Sequence, residues 1–238
     1  MAAGIPIDAL LTGAVRPLGN SGRDSGIDKH PVEERLWLGR EGLRGDEQAD
    51  RRHHGGPEKA LHHYAREHYP SWLAELGERA VLRAPGAFGE NLSTRGLTES
   101  EVCVGDIYRA GTALLQVSQA RQPCWKLDHR FDTRGMAARV QASGKTGWYY
   151  RVLEEGWLRA GDALCLQERP QAQWPLARVQ DILNRRVLEP AVLRALSELP
   201  ELSPNWRALF EKRARSGEAE DWTRRLEGDV VPPPSTES

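Results

Sequence analysis

Ala113-Leu-Leu-Gln-Val-Ser118 reads as a strand, and Arg121-Gln-Pro-Cys-Trp-Lys126 follows it almost at once. A short run mixing apolar and polar positions, bounded by turn residues, is the pattern of a half-buried strand. Pro123 has no N–H to give to a sheet ladder, so the strand stops there. Cys124 is thereby presented in a loop between two cations, Arg121 and Lys126. A thiol of pKa about 8.5 is only slightly ionised at neutral pH, and adjacent positive charge lowers that pKa by about one unit or more. The thiolate is both the nucleophile and the soft-metal ligand. Cys124 is therefore a candidate for chemistry, the alternative being a half-buried thiol beneath a cationic rim. Cys103, between Val102 and Val104, and Cys165, between Leu164 and Leu166, read as strand core residues.

Outward from that strand, the chain up to Gln167 repeats one pattern, short alternating or β-branched runs cut by Gly, Pro and Asp, with residues 163–166 as a further example. This predicts a compact β-rich barrel or sandwich. Pro57 suits the first position of a helix. Leu61, Tyr64, His68 and Trp72 recur along one face at helical spacing, so a helix is expected to start there. Residues 133–143 are a second helical candidate. Residues 168–175, Glu-Arg-Pro-Gln-Ala-Gln-Trp-Pro, have the composition of a linker. Beyond them the period changes. Leu176, Val179, Ile182 and Leu183 form one helical stripe, Val192, Leu193 and Leu196 a second, and Trp206, Leu209 and Phe210 a third. Ser203-Pro204 supplies an N-cap and first helical residue for the last. The expected class is α+β: a barrel domain at 1–167, a linker at 168–175, a small α-helical bundle at 176–227, and a disordered tail at 228–238 that contains Pro232 to Pro234.

Composition removes several function classes. The 238 residues carry 33 Lys and Arg against 34 Asp and Glu, a formal charge of −1, so no global positive field draws the chain to nucleic acid or an anionic membrane. The helical region permits a helix-turn-helix idea, but ten cations stand against nine acids between residues 178 and 227, the balance of a solvated surface. No run reaches the ~20 apolar residues of a membrane span, and the N-terminus lacks a basic, cleavable leader, so a cytoplasmic protein is expected. Three cysteines without a C-x-x-C do not suit a structural zinc or a four-thiolate cluster. Ser143-Gly-Lys-Thr146 resembles the end of a P-loop, but Arg139 stands where that motif needs glycine, and no G-x-G-x-x-G occurs.

Two further stretches hold candidate donors. In His53-His54-Gly55-Gly56-Pro57, with Arg51 and Arg52 before it, bare backbone N–H groups and a helix dipole would meet an anion; the alternative is an ordinary glycine turn. The five histidines from His53 to His68 do not have the spacing of a zinc site. Gly89-Glu-Asn-Leu-Ser-Thr94 collects amides and hydroxyls in an expected turn, for a polar ligand or for its own backbone.

In this order, Gly42-Leu-Arg-Gly-Asp46, His54-Gly-Gly56, Phe88-Gly-Glu-Asn-Leu-Ser-Thr94, Gly105-Asp106, Gln116-Val-Ser-Gln119 and Pro123-Cys-Trp-Lys-Leu127 resemble the MOSC domain. From about Ile7 to Leu226 the chain is similar above all to YiiM-type MOSC proteins, which add a C-terminal three-helix domain. Ala120 departs from the family, which often has proline there. The resemblance implies a β-rich barrel that binds molybdenum cofactor (Mo-molybdopterin), with Cys124 ligating molybdenum and serving as the catalytic residue, which is compatible with the residues' own reading of Cys124 as one exposed soft ligand. It implies reduction of N-hydroxylated compounds such as 6-hydroxylaminopurine, and pyridoxal phosphate binding is also associated with the family. By residue type and family position, Arg23, Ser25, Lys29, Arg52 and His54, with the Gly55 and Gly56 amides, are assigned to the pterin phosphate. Asn91, Ser93 and Arg121 are assigned to the pterin or metal side. Lacking a nucleotide fingerprint or cluster, the chain is expected to need a separate, flavin-containing reductase as electron donor. A non-catalytic cofactor or sulfur carrier, and a regulatory module acting through the last helices, are the competing readings.

Overall fold

The computed structural model describes residues 4–50 and 55–228. Strands β1 (Ile5–Thr12), β2 (Leu61–Ala65), β3 (Leu92–Thr94), β4 (Ile107–Ala110), β5 (Ala113–Ala120), β6 (Trp148–Glu154) and β7 (Ala163–Glu168) form one sheet in the order β7-β4-β5-β6-β2-β3-β1. It closes where Ile5 of β1 pairs with Leu164 of β7, giving a seven-stranded barrel without free edges. Within the ring β2 and β3 run parallel, His63 opposite Leu92, and the other neighbours are antiparallel. Ile7, Leu10, Leu92, Leu115, Val117, Trp148 and Tyr150 are buried in the principal core.

The β5 strand extends two residues beyond the run seen in sequence. Its register against β6 shifts between Val117, opposite Tyr150, and Gln119, opposite Tyr149. An extra residue of this kind bends a strand and re-aims the residues after it, here Arg121 to Cys124. The displaced Ser118 is used: its hydroxyl donates to the Glu58 carbonyl at 2.6 Å, and its carbonyl accepts from Ser203 N–H at 2.9 Å.

The helix expected at Pro57 is absent. Pro57–Lys59 is a single 3₁₀ turn, Leu61–Ala65 is β2, and the helix α1 (Tyr69–Leu76) begins only later. All five residues of β2 are buried, because the strand lies inside the barrel wall between β6 and β3. A strand covered on both faces loses its period of two, and the spacing of Leu61, Tyr64, His68 and Trp72 then mimics a helix. Residues 89–94 are likewise not simply a turn, since Leu92–Thr94 is the fully buried β3. A helix not expected from sequence, α2 (Lys126–Phe131), follows Cys124 directly. The next, α3 (Met136–Ser143), starts three residues inside the expected span because Asp128 takes the Gly135 and Ala137 N–H groups at 2.6 and 2.9 Å.

Four helices close the chain: α4 (Leu176–Asn184), α5 (Pro190–Ser197), α6 (Pro204–Ser216) and α7 (Thr223–Glu227). Ser203 caps α6, its hydroxyl accepting from Trp206 N–H at 3.4 Å. Leu176, Val179, Leu193, Leu196, Trp206 and Phe210 join the same core as Val102 and Val104, so the helical region is seated on the barrel. Residues 168–175 are fastened between them. Arg169 forks onto the buried Asp106 at 2.9 and 2.7 Å, Val104 N–H donates to the Trp174 carbonyl at 3.0 Å, and Pro175 bridges Cys103. Cys103 is thus buried in a turn rather than inside a named strand, and burial pushes its thiol up. Cys165 lies on β7 but is half-buried, not core. Residues 229–238, the greater part of the tail expected to be disordered, lie outside the described residues, as do residues 51–54. Among the described residues, no helix is long and apolar enough to cross a membrane.

Candidate functional site

Where β5 ends, Arg121 N–H still donates to the Gly147 carbonyl at 2.9 Å, holding the first residue of the loop to the barrel rim. Three residues later the Cys124 carbonyl accepts from Leu127 N–H at 3.0 Å and starts α2. Cys124 is therefore held between a strand end and a helix start. It is 7% exposed, buried rather than the exposed ligand expected from the sequence, and it lines a cavity of about 570 Å³ including the mouth.

Four cations, Lys29, Lys59, Arg121 and Lys126, face that cavity. They are not equivalent. Lys29 Nζ is paired with Asp46, which also accepts from Gly13 N–H and from Asn91 Nδ2, each at 3.0 Å. Burial lowers the Lys29 pKa, and Asp46 offsets part of that shift. Its charge is compensated from behind the cavity wall. Asn91 is also spent on structure, because its Oδ1 accepts from His62 N–H at 3.1 Å while Nδ2 donates to the Leu11 carbonyl at 3.1 Å as well as to Asp46. Asn91 therefore ties β1, β2 and the loop holding Asp46 into one wall.

Arg121 differs. Its Nη1 is buried and has no hydrogen-bond partner among the described residues, a position that native proteins seldom leave unfilled. Its charge adds to burial in driving the His62 pKa well below its ordinary value, so that ring is neutral at pH 7. Burial raises the Tyr149 hydroxyl pKa, and Arg121, hydrogen-bonded to it, works the other way. Lys59 is lowered by burial, with Asp50 and Cys124 pulling it back up. Among the described residues, Lys126 Nζ reaches only the Asp24 carbonyl, at 3.5 Å. A buried thiol, an unpaired guanidinium N–H and two further ammonium groups converge on one cavity. That donor set fits an anionic group that carries a soft metal.

Of the residues assigned from sequence, Cys124, Ser25, Lys29, Asn91 and Arg121 line this cavity. Arg23 does not: it is exposed, beside the short ladder in which Asp24–Ser25 pairs with Arg16–Pro17. Ser93 does not either, being buried within β3 with an unpartnered hydroxyl away from the cavity lining. Gly55 and Gly56 lie outside the lining and precede a three-residue 3₁₀ turn, too short to provide the helix dipole expected there. Arg52 and His54 lie outside the described residues. Sequence reading missed Lys59, His62 and Tyr149 in the lining, and Asp46 behind it. Lys126 was visible only as a charge flanking Cys124. Their common signal, a polar residue beside a strand end, is too general to single them out.

A closed seven-stranded barrel, a small helical region seated on it, and a cysteine in a cationic cavity at the rim define a MOSC-type domain with a helical extension. Residues 50–165 match the MOSC domain, and residues 174–217 match the YiiM-like, 3-alpha helix domain. The chain is 42% identical over 232 residues to Protein YiiM of Escherichia coli (strain K12), covering 94% of this chain and 98% of that one. Its structure is similar to the crystal structure of YiiM from Geobacillus stearothermophilus, with a TM-score of 0.76 and 36% identity over 88% of this chain and 99% of that one. A protein of Gibberella moniliformis (strain M3125 / FGSC 7600) named Reductase is 38% identical over 177 residues, which are 74% of this chain and 31% of that one. The chain belongs to the MOSC domain family, in its YiiM-type branch.

Proposed function

We propose that this protein reduces N-hydroxylated compounds with a molybdenum cofactor held at Cys124. The observation that carries the reading is the pairing of the Cys124 thiol with the orphaned Arg121 Nη1 in one cationic cavity. Two findings support it: MOSC domains are associated in general with this cofactor, and a relative bears the name Reductase. When bound, the cofactor supplies the two-electron chemistry that converts R–NHOH, with two electrons and two protons, to R–NH₂ and water.

The residues divide the remaining work. Cys124 as thiolate is the soft-metal ligand. Arg121 donates its free N–H to an anionic oxygen of the cofactor, a charge-assisted bond of the stronger kind. Lys59 and Lys126 balance the remaining negative charge, and Ser25 presents a hydroxyl on the same wall. Lys29 acts mainly through its bond to Asp46, which with Asn91 keeps the wall rigid. Neutral His62 adds no charge there. Tyr149 supplies aromatic surface for a planar substrate such as an N-hydroxylated purine. Arg52 and His54 remain proposed contacts of the pterin phosphate.

Electrons are proposed to come from a separate reductase, of flavin-containing type, and the protein to act in the cytoplasm. The Gibberella protein, of which the matched region is under a third, has ample length for such a partner within one chain. The test is molybdenum and pterin content of protein purified from a cofactor-competent host. Cys124→Ser should lose the metal, because a hydroxyl is a poor soft-metal ligand, whereas Cys103→Ser and Cys165→Ser should keep it. Equal molybdenum in all three variants overturns the ligand assignment. Failure of the loaded protein to reduce N-hydroxylated purines with a flavin reductase or a reduced viologen dye assigns it to cofactor carriage instead.

A further inference from the structure

The cysteine loop is gripped from a direction that neither matched region covers. Residues 218–228 lie beyond the MOSC span of 50–165 and the helical span of 174–217, yet α7 reaches back across the chain to Cys124. The Arg225 carbonyl accepts from Trp125 N–H at 2.8 Å. One arm of the Arg225 guanidinium, Nη1, donates to the Pro123 carbonyl, and the other, Nη2, donates to Gln141 Oε1 of α3 at 2.6 Å. Main chain and side chain of one residue thus hold the residues on either side of Cys124. Gly228 ends α7 against the Trp125 ring, where an added Cβ would lie 3.3 Å from Cγ. Leu226 packs against both hydrophobic clusters, so α7 is anchored to the barrel side and to the α2–α3 side together.

Pro123 makes this grip consequential. It offers no N–H, so the loop cannot be held to the sheet at that position through a donor. Its carbonyl is the remaining backbone handle, and Arg225 occupies it. A guanidinium is suited to the task because its planar fork meets two acceptors in fixed geometry, which an ammonium group does not reproduce. Arg225 is also partly buried close to Cys124: burial lowers its own pKa, while the Cys124 and Glu220 charges act in the opposite direction.

We propose that Arg225 is a positioning residue for Cys124: α7 latches the cysteine loop from behind, so the aim of the thiol into the cavity depends on the C-terminal segment. This deepens the reading of Cys124 as the ligand in the site but is tested without cofactor. In apoprotein whose other two cysteines are Ser, so that Cys124 is the sole thiol, alkylation by neutral iodoacetamide reports access to the sulfur. At a pH high enough that the rate has levelled off in each variant, the thiolate is fully formed in all of them, and the charge effect that remains on its nucleophilicity, about threefold per pH unit of thiol acidity, is smaller than the change expected from access.

There Arg225→Met should alkylate about tenfold faster than its parent, the order of change expected in the open fraction of a loop that loses a charge-assisted bond. Arg225→Lys should recover part of the protection, since one donor can still reach Pro123. Gln141→Leu, which removes only the second anchor, should give a smaller increase with the fold intact and covers the case in which the Arg225 variants unfold. A structural staple without influence on the thiol would lower the melting temperature but leave alkylation unchanged. That result in any folded Arg225 variant, or in Gln141→Leu if no Arg225 variant folds, overturns the proposal. Absence of molybdenum from the wild-type protein would overturn the cofactor reading and leave this measurement standing.

Discussion

Asp46→Ala should destabilise the protein by about 3–5 kcal/mol, the usual cost of leaving one partner of a buried ion pair without the other. The Lys29 and Asp46 side chains are 7% and 1% exposed, and Nζ lies 2.6 Å from Oδ1. At that distance and an effective dielectric near 20, the gross attraction is about 6 kcal/mol. Much of it only offsets desolvation, so the intact pair is worth less than its disruption costs. The variant also leaves Gly13 N–H and one Asn91 N–H without their acceptor, each worth about 1 kcal/mol. Together these place the loss toward the upper end of the range. Removing both charges at similar volume, Lys29→Met with Asp46→Leu, should recover the part due to the unpaired ion and leave about 2 kcal/mol, because the Gly13 and Asn91 N–H groups still lack their acceptor. Urea titrations of the wild type, both single variants and the double variant give the coupling energy, provided the slope m is unchanged across the four. A loss below about 1 kcal/mol for Asp46→Ala would refute the buried pair. Lys29 would then be a free cation and a direct contact for the cofactor.

Arg121→Met should lower cofactor occupancy by about 10- to 100-fold while the protein stays folded, since Nη1 has no partner to lose among the described residues and its proposed bond to the cofactor is charge-assisted. Occupancy measured by released pterin would count against the assignment if it matched wild type. Acid should destabilise the barrel through His63, whose pKa burial lowers from 6.5 to about 3. The ring is neutral in the fold, hydrogen-bonded to Tyr150 at 3.0 Å and to Thr94 at 2.8 Å. Its stabilising share is present above pH 6.5 and is lost as the pH falls toward 3. At pH 5 the loss is about 2 kcal/mol, with His62 acting in the same direction. Denaturation between pH 7 and 5 should show this fall, and His63→Gln should flatten it. An equally steep fall in that variant would show that another group is responsible.

The parts of the fold that were legible in the sequence are those with one wet face. The stripes of α4, α5 and α6 keep their period because each helix has a wet face, and the run in β5 keeps its alternation as far as Val117 because Leu114 and Gln116 are only half-buried. What was misread lies where water is absent. In β2 every position is buried, so Leu61 and Tyr64 carried no true periodicity, and their helical spacing with His68, in a 3₁₀ turn, and Trp72, in α1, was a chance alignment across three elements. The helix α2 escaped because its six residues include buried Lys126 beside buried Leu127 and Phe131, a charge on an inward face. The seat of the helical region on the barrel was equally hidden. Arg169, Trp174 and Pro175 look like linker composition until Asp106, Val104 and Cys103 are placed opposite them.

The site was legible by residue type and not by role. Asn91 and Arg121 were both assigned to the cofactor because each is a polar residue in a suggestive motif, and both do line the cavity. Counting donors and acceptors separates them. A buried polar group that is fully paired within the protein is part of the frame, and one that is not must be completed by something else or be penalised for its burial. Asn91 is paired with Leu11, Asp46 and His62, so replacing it should cost stability first and binding only through the wall it braces. Arg121 holds a buried N–H that no described residue meets. Ser93 also has an unmet hydroxyl, but it is turned away from the cavity, in the wall of β3, and a single neutral hydroxyl carries a much smaller penalty than a guanidinium N–H. The charged orphan beside the Cys124 cavity, more than the number of polar residues around it, is what the proposed cofactor reading rests on.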